Sequence, residues 1–235
     1  MTAALAAALM TGAACKKDQG SGDPNRFRLN HNGADIAVFK YKGERMAVEF
    51  DNRTSILKAT FTNLGKRRYD LAKGVTDKKN IDKAKTTVVA KVSYTPKGFK
   101  VRDDAGKLLW KVNRDPDAVR IFDNDENKNP LSVRLKGKFL NVWEGEGNKN
   151  SLGKVEFADK GKKAKVTDGK GKRIYTVKLG TANLKKSSAF GILAMNRIPV
   201  LMQYVLISEL WLPNATESKK IVAENKAKTP AAPAK

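Results

Sequence analysis

The chain is poor in the residues that most often carry chemistry. Its 235 residues include one cysteine, Cys15, and one histidine, His31. A single cysteine excludes an intrachain disulfide, and one Cys with one His cannot supply the ligand set of a structural zinc site. His31 has no nucleophile beside it and reads as a surface residue. Acids are also scarce, with 24 Asp and Glu against 47 Lys and Arg, a net charge of +23. The acidic run Asp123-Asn124-Asp125-Glu126-Asn127-Lys128-Asn129 starts like a calcium loop. However, Lys128 and Arg134 stand where an EF-hand needs Gly and Glu, so it reads as a polar turn. Gly145-Glu146-Gly147-Asn148 lacks the Lys and Ser/Thr of a phosphate-binding loop. No catalytic constellation emerges, and no cofactor or metal is expected.

What the chain does have is positive charge in a particular place. Residues 1–15 carry none, and in the apolar stretch Ser188–Leu212 Arg197 cancels Glu209. Five Lys against Glu217 and Glu224 give the segment from Pro213 a charge of +3, leaving +20 of the +23 on residues 16–187. So basic a body is drawn to polyanions: anionic lipid, acidic glycan or nucleic acid. Lys66-Arg67-Arg68 and Lys160-Gly161-Lys162-Lys163 are its densest clusters and its candidate anionic-surface contacts. Trp110, Trp143 and Tyr175 read as core aromatics rather than base-stacking platforms.

The body reads as strand, tight turn, strand. Residues 100–112 and 165–178 share a Val-x-Asp start, a turn containing Gly-Lys, and an aromatic two residues before a Val, which suggests an internal repeat. Further strands are expected at Ile36–Lys42, Arg45–Phe50, Leu57–Thr62, Thr86–Tyr94, Val119–Phe122, Leu131–Leu135, Phe139–Trp143 and Gly153–Phe157. Regular short strands predict an antiparallel barrel or sandwich. Lys66–Lys85 is too charged to assign and reads as a short helix or a basic loop.

Ser188–Leu212 is apolar on every side and must be surrounded by protein or lipid. It is long enough to span a bilayer, but Asn196, Arg197, Pro199 and Gln203 would sit mid-span. A second reading is a pair of core helices broken at Asn196-Arg197, with Ser187 or Ser188 capping the first and Pro199 in the first turn of the second. A third is a helix sheathed by the strands. Val101-Arg102-Asp103-Asp104-Ala105-Gly106-Lys107, Val166-Thr167-Asp168-Gly169-Lys170-Gly171-Lys172 and the apolar stretch Ala189–Trp211 together resemble the tubby-like superfamily. That superfamily includes the tubby C-terminal domain, the plant LURP-one-related proteins and the phospholipid scramblases. The resemblance implies a closed antiparallel β-barrel around a hydrophobic C-terminal helix over residues 25–212. No phosphoinositide pocket can be placed residue by residue.

Met1–Ala14 is small and apolar, followed by Cys15 and a polar run over residues 16–24 that suits a flexible tether. Gly12-Ala13-Ala14-Cys15 resembles a bacterial lipoprotein signal over its last three positions. The resemblance implies lipid attachment at Cys15 and a membrane partner. With Lys16 after the cysteine, it implies an envelope location, at the outer membrane facing the periplasm or the surface. Residues 213–235, rich in Lys, Ala and Pro, read as a disordered tail. The leading expectation is a non-enzymatic envelope lipoprotein that binds anionic lipid or glycan. A basic nucleic-acid-binding β-protein and a hydrolase of envelope polymers are the alternatives, and nothing in the sequence sets an oligomeric state.

Overall fold

The computed structural model describes residues 26–42, 45–51, 54–63, 65–75, 84–158, 162–179 and 187–211. Fourteen strands run in chain order: β1 (Arg26–His31), β2 (Ala34–Lys42), β3 (Arg45–Phe50), β4 (Ile56–Asn63), β5 (Lys66–Ala72), β6 (Thr86–Thr95), β7 (Gly98–Arg102), β8 (Leu108–Arg114), β9 (Ala118–Phe122), β10 (Leu131–Lys136), β11 (Phe139–Glu144), β12 (Asn150–Ala158), β13 (Lys163–Asp168) and β14 (Arg173–Leu179). Each pairs antiparallel with its neighbours in sequence, and β1 pairs with β14 through Phe27↔Leu179 and Leu29↔Val177. The sheet is therefore a closed up-and-down barrel, and the expected barrel of repeated hairpins is the observed fold. Closure leaves no strand edge unpaired.

The polarity of the wall follows from the period of two. In β7 and β8, Phe99, Val101, Trp110 and Val112 point inward and are buried, while Lys100, Arg102 and Lys111 alternate with them. Phe27, Leu29, Phe39 and Val48 do the same on β1 to β3. The charged face is therefore the outer one, opposite to the polarity of a barrel whose wall meets lipid.

The bore is filled by the apolar stretch, which is not one helix. Ser188–Ala194 forms a 3-10 helix, the chain breaks at Met195–Pro199, and α1 (Val200–Trp211) follows. Ser187 caps the first piece, its Oγ accepting from the Ala189 amide at 3.3 Å. Pro199 stands just before α1 and its carbonyl accepts from the Gln203 amide at 2.9 Å. Gln203 to Glu209 are buried without interruption, two full turns with no exposed face. Among the described residues no helix is long and apolar enough to cross a membrane, so the spanning reading of this stretch gives way to the sheathed one. Gly191 touches the wall so closely that a Cβ there would sit 2.6 Å from both Val133 methyls.

The repeat is visible as geometry. In β7–β8 the Asp103 amide donates to the Lys107 carbonyl at 3.0 Å, and Asp103 Oδ1 accepts from the Lys107 amide at 2.8 Å. In β13–β14 the Asp168 amide donates to the Lys172 carbonyl at 2.9 Å, and Asp168 Oδ1 accepts from the Lys172 amide at 2.9 Å. Both turns place a glycine, Gly106 or Gly171, at positive φ (92° and 82°). Such backbone strains any residue with a Cβ.

Candidate anionic-surface site and the bore cluster

The structure separates the residues of the first predicted cluster. β5 is a strand and not the helix or loop considered for this stretch. Its alternation sends Lys66 and Arg68 outward and Arg67 inward. Arg67 is 2% exposed, so it is not a surface contact. Its place is inside because Tyr69 and Leu71 share its face and Glu209 of α1 awaits it there. Lys162 and Lys163 are exposed at the start of β13. Cys15 and Lys160 lie outside the described residues. β5 and β13 stand six steps apart around the ring, through β4, β3, β2, β1 and β14, so the two clusters form no single patch.

The outer wall carries cations in lateral register. Arg68 of β5 lies opposite Lys91 of β6, which lies opposite Arg102 of β7. Lys100 and Lys111 face each other on β7 and β8, and Lys163 and Lys178 on β13 and β14. Like charges directly opposite are unfavourable. Part of the cost is offset locally: Arg68 Nε lies 2.8 Å from Asp70, and Lys91 Nζ lies 2.7 Å from Asp104. The ammonium of Lys91 accordingly holds the Asp104 carboxyl below the usual carboxylate range. Between these strands lies an open hollow of about 470 Å³, lined on its polar side by Thr62, Lys66, Arg68, Lys91, Ser93 and Arg102. A second, of about 410 Å³, gathers Lys163, Lys165, Arg173 and Lys178 with Asn30 and Asn32. Guanidinium, ammonium and hydroxyl donors of this kind suit the oxygens of phosphate or carboxylate.

The bore holds a polar cluster that the sequence pattern did not announce. Glu209, 1% exposed, accepts from Tyr69 Oη at 2.6 Å, from Arg67 Nη1 at 3.2 Å, and from the Tyr94 hydroxyl in a short hydrogen bond. Arg114 of β8 donates to the Glu209 backbone carbonyl at 2.7 Å, satisfying a carbonyl in the last turn of α1. The Arg67 guanidinium also lies 4.0 Å from the Phe61 ring centroid. Burial and the neighbouring Glu209 charge both push the Tyr69 and Tyr94 phenols well above their ordinary value. Burial opposes the Arg67 charge, but Glu209 and the two tyrosines outweigh it and raise its pKa. These residues bolt the helix to β5, β6 and β8. They could have been suspected from a lone Glu in an otherwise apolar helix, which needs a buried cation or donors.

The remaining residues singled out earlier take structural places. His31 bonds through Nδ1 to the Ile174 carbonyl at 2.7 Å, and its ring is tilted against Tyr175. Trp110 is buried in the core, while Trp143 and Tyr175 are half-buried. The acidic run is a polar turn whose Asp123 pairs with Arg197, and Arg197 also pairs with Glu144 at 2.7 Å. Among the described residues no group of three or more His, Cys, Asp or Glu is placed to hold a metal ion. No family model matches the chain, and no curated protein or solved structure matches it.

Proposed function

We propose that this protein is a non-enzymatic envelope lipoprotein, tethered through Cys15, whose basic barrel binds an anionic lipid or glycan surface. The observation that carries the binding part is the row Arg68–Lys91–Arg102, with its hollow and flanking hydroxyls on the outer wall. Cations placed opposite one another cost stability in the free protein, and an anion between them turns that repulsion into attraction. The lipoprotein part rests on Gly12-Ala13-Ala14-Cys15 and the polar residues that follow. A stably anchored acyl chain would bring weak, multivalent charge contacts to the surface repeatedly. A hydrolase would want its acid open to a cleft, whereas the buried Glu209 is held inside the bore by Arg67, Tyr69 and Tyr94.

The test is expression in a Gram-negative host with the mass of the mature N-terminal peptide measured beside a Cys15→Ala control. A peptide starting at acylated Cys15 is the expected result. An uncleaved, unmodified N-terminus would overturn the anchoring and make nucleic acid the leading partner.

A further inference from the structure

The two ends of the barrel differ in charge. The turns β6–β7, β8–β9, β10–β11 and β12–β13, together with the start of β1, lie at one rim. Exposed Arg45, Lys66, Lys97, Lys138, Lys162 and Lys163 stand at or beside it. Among the described residues the turns of this rim carry two acids, Asp115 and Asp117. Both are taken up by wall arginines: Arg120 Nη1 lies 2.8 Å from Asp115, and Arg134 Nε 3.3 Å from Asp117. The opposite rim carries Asp103, Asp104, Asp123, Asp125, Glu126 and Glu146 in its turns, interspersed with Lys107, Lys128, Lys149, Lys170 and Lys172. Among the described residues one rim is strongly positive and the other is mixed.

Three further facts concern the positive rim. The chain enters the barrel there at Arg26, directly after the residues that follow Cys15. Helix α1 ends there, with Trp211 against Phe27 at 4.9 Å between ring centroids. The β10–β11 tip reads Leu135-Lys136-Gly137-Lys138-Phe139. Leu135 is 46% exposed, one of two large hydrophobic residues exposed among those described. The ammonium groups of Lys138 and Lys154 lie 5.2 and 5.1 Å from the Phe139 ring centroid. An exposed Leu between Arg134 and Lys136, on a hairpin tip that also carries Phe139, matches the two layers of a lipid interface, apolar below and anionic above. A nucleic-acid backbone offers no partner for Leu135.

We infer that the positive rim is the docking face for an anionic phospholipid bilayer, with the barrel axis upright and the Leu135–Phe139 tip entering the headgroup layer. This rests on the reading above only in taking an anionic lipid as the surface bound, and it moves the contact from the outer-wall row, whose Arg102 ends β7 toward the other rim, to the positive rim. The chain with Cys15→Ser, which cannot be acylated, would be sedimented with vesicles of phosphatidylcholine alone or mixed equally with phosphatidylglycerol. Two variants of equal net charge are compared: Lys66→Glu/Lys97→Glu/Lys138→Glu/Lys163→Glu at the positive rim, and Lys107→Glu/Lys128→Glu/Lys170→Glu/Lys172→Glu at the other. Circular dichroism confirms that each is folded. The positive-rim variant should lose affinity for the mixed vesicles by roughly a hundredfold or more, and the other variant by under about tenfold. Leu135→Ser, with charge intact, should weaken vesicle binding about fivefold and leave binding to a DNA duplex unchanged. Equal losses in the two charge variants would overturn the rim assignment and leave the anionic-surface reading standing. Failure of the unreversed chain to bind mixed vesicles would overturn the bilayer inference and leave the anionic-surface reading only its glycan form. Vesicle binding indifferent to Leu135→Ser, with a DNA duplex bound as tightly as the vesicles, would replace the lipid partner with a nucleic acid.

Discussion

Replacing Glu209 with Ala tests the account of the bore most severely. The substitution removes the only anion within reach of Arg67 Nη1 (3.2 Å) among the described residues and leaves the Tyr69 and Tyr94 hydroxyls without their acceptor. Arg67 is 2% exposed and cannot turn to water without opening the wall. Removing one member of a buried ion pair costs about 3–5 kcal/mol, because the survivor stays charged and unpaired. The Tyr bonds overlap with this figure rather than adding in full, so a loss of about 4 kcal/mol is expected. With a urea m-value of about 2–3 kcal/mol/M, the midpoint should fall by roughly 1.3–2 M. The assay is urea unfolding followed by tryptophan fluorescence, with Arg67→Met and the double variant Arg67→Met/Glu209→Ala completing a cycle. The double variant should be more stable than Glu209→Ala alone, because the orphan charge has gone. A loss under about 1 kcal/mol for Glu209→Ala, or strictly additive single effects, would refute the claim that α1 is bolted by a desolvated pair.

Other outcomes follow from the same contacts. Arg197 pairs with Asp123 and Glu144 while more than a third exposed, so Arg197→Ala should cost under about 1 kcal/mol in the same urea assay, despite having two ion pairs against Arg67's one. Burial raises the Asp123 carboxyl, but bonds from Arg197 and Asn124 outweigh this and hold it below its usual value. Its contribution is therefore complete above pH of about 4 and fades as pH falls through the lowered value, which nuclear magnetic resonance titration of the carboxyl would register. Tyr69, Tyr94 and Tyr204 have raised phenol pKa values, chiefly through burial. Their stabilisation is complete below pH of about 10 and is lost as pH rises beyond it, so phenolate absorbance should show a late step coinciding with unfolding. Gly191→Ala forces a methyl against Val133 and should cost about 1–3 kcal/mol by thermal or urea melting.

The strands that the sequence revealed were those whose alternation is clean. Phe99-Lys100-Val101 and Leu140-Asn141-Val142 advertise their inner face at every second position, and β7 and β11 lie where the pattern predicts. β5 escaped notice because an arginine holds one of its inward places. Read by type, Lys66-Arg67-Arg68 is a solvated run; read by face, it is out, in, out. The partner that makes Arg67 tolerable inside lies on α1, 142 residues away, where no local window reaches. β1 shows the same alternation in Arg26-Phe27-Arg28-Leu29, but only two apolar residues carry it, too few to mark a strand on their own. The break in the apolar stretch at Asn196–Pro199 was legible from Pro199 and the polar pair before it. The Asp-x-x-Gly-Lys repeat was legible because a tight turn is a local object. The charge difference between the rims was not, since it appears only when alternate turns are sorted by the up-and-down path of the chain.

Closure of the ring between β1 and β14 sets the order in which the molecule can be completed. Phe27 cannot pair with Leu179 until thirteen other strands exist, and the bore cannot be filled until Ser188–Trp211 has followed them. Pairing the first described strand with the last is the most non-local pairing in the sheet, and such contacts form slowly on entropic grounds. A nascent chain will remain an unfinished sheet with its apolar face open through nearly all of its synthesis. Until that pairing forms, the open apolar face and unpaired edge strands are the surfaces most exposed to aggregation.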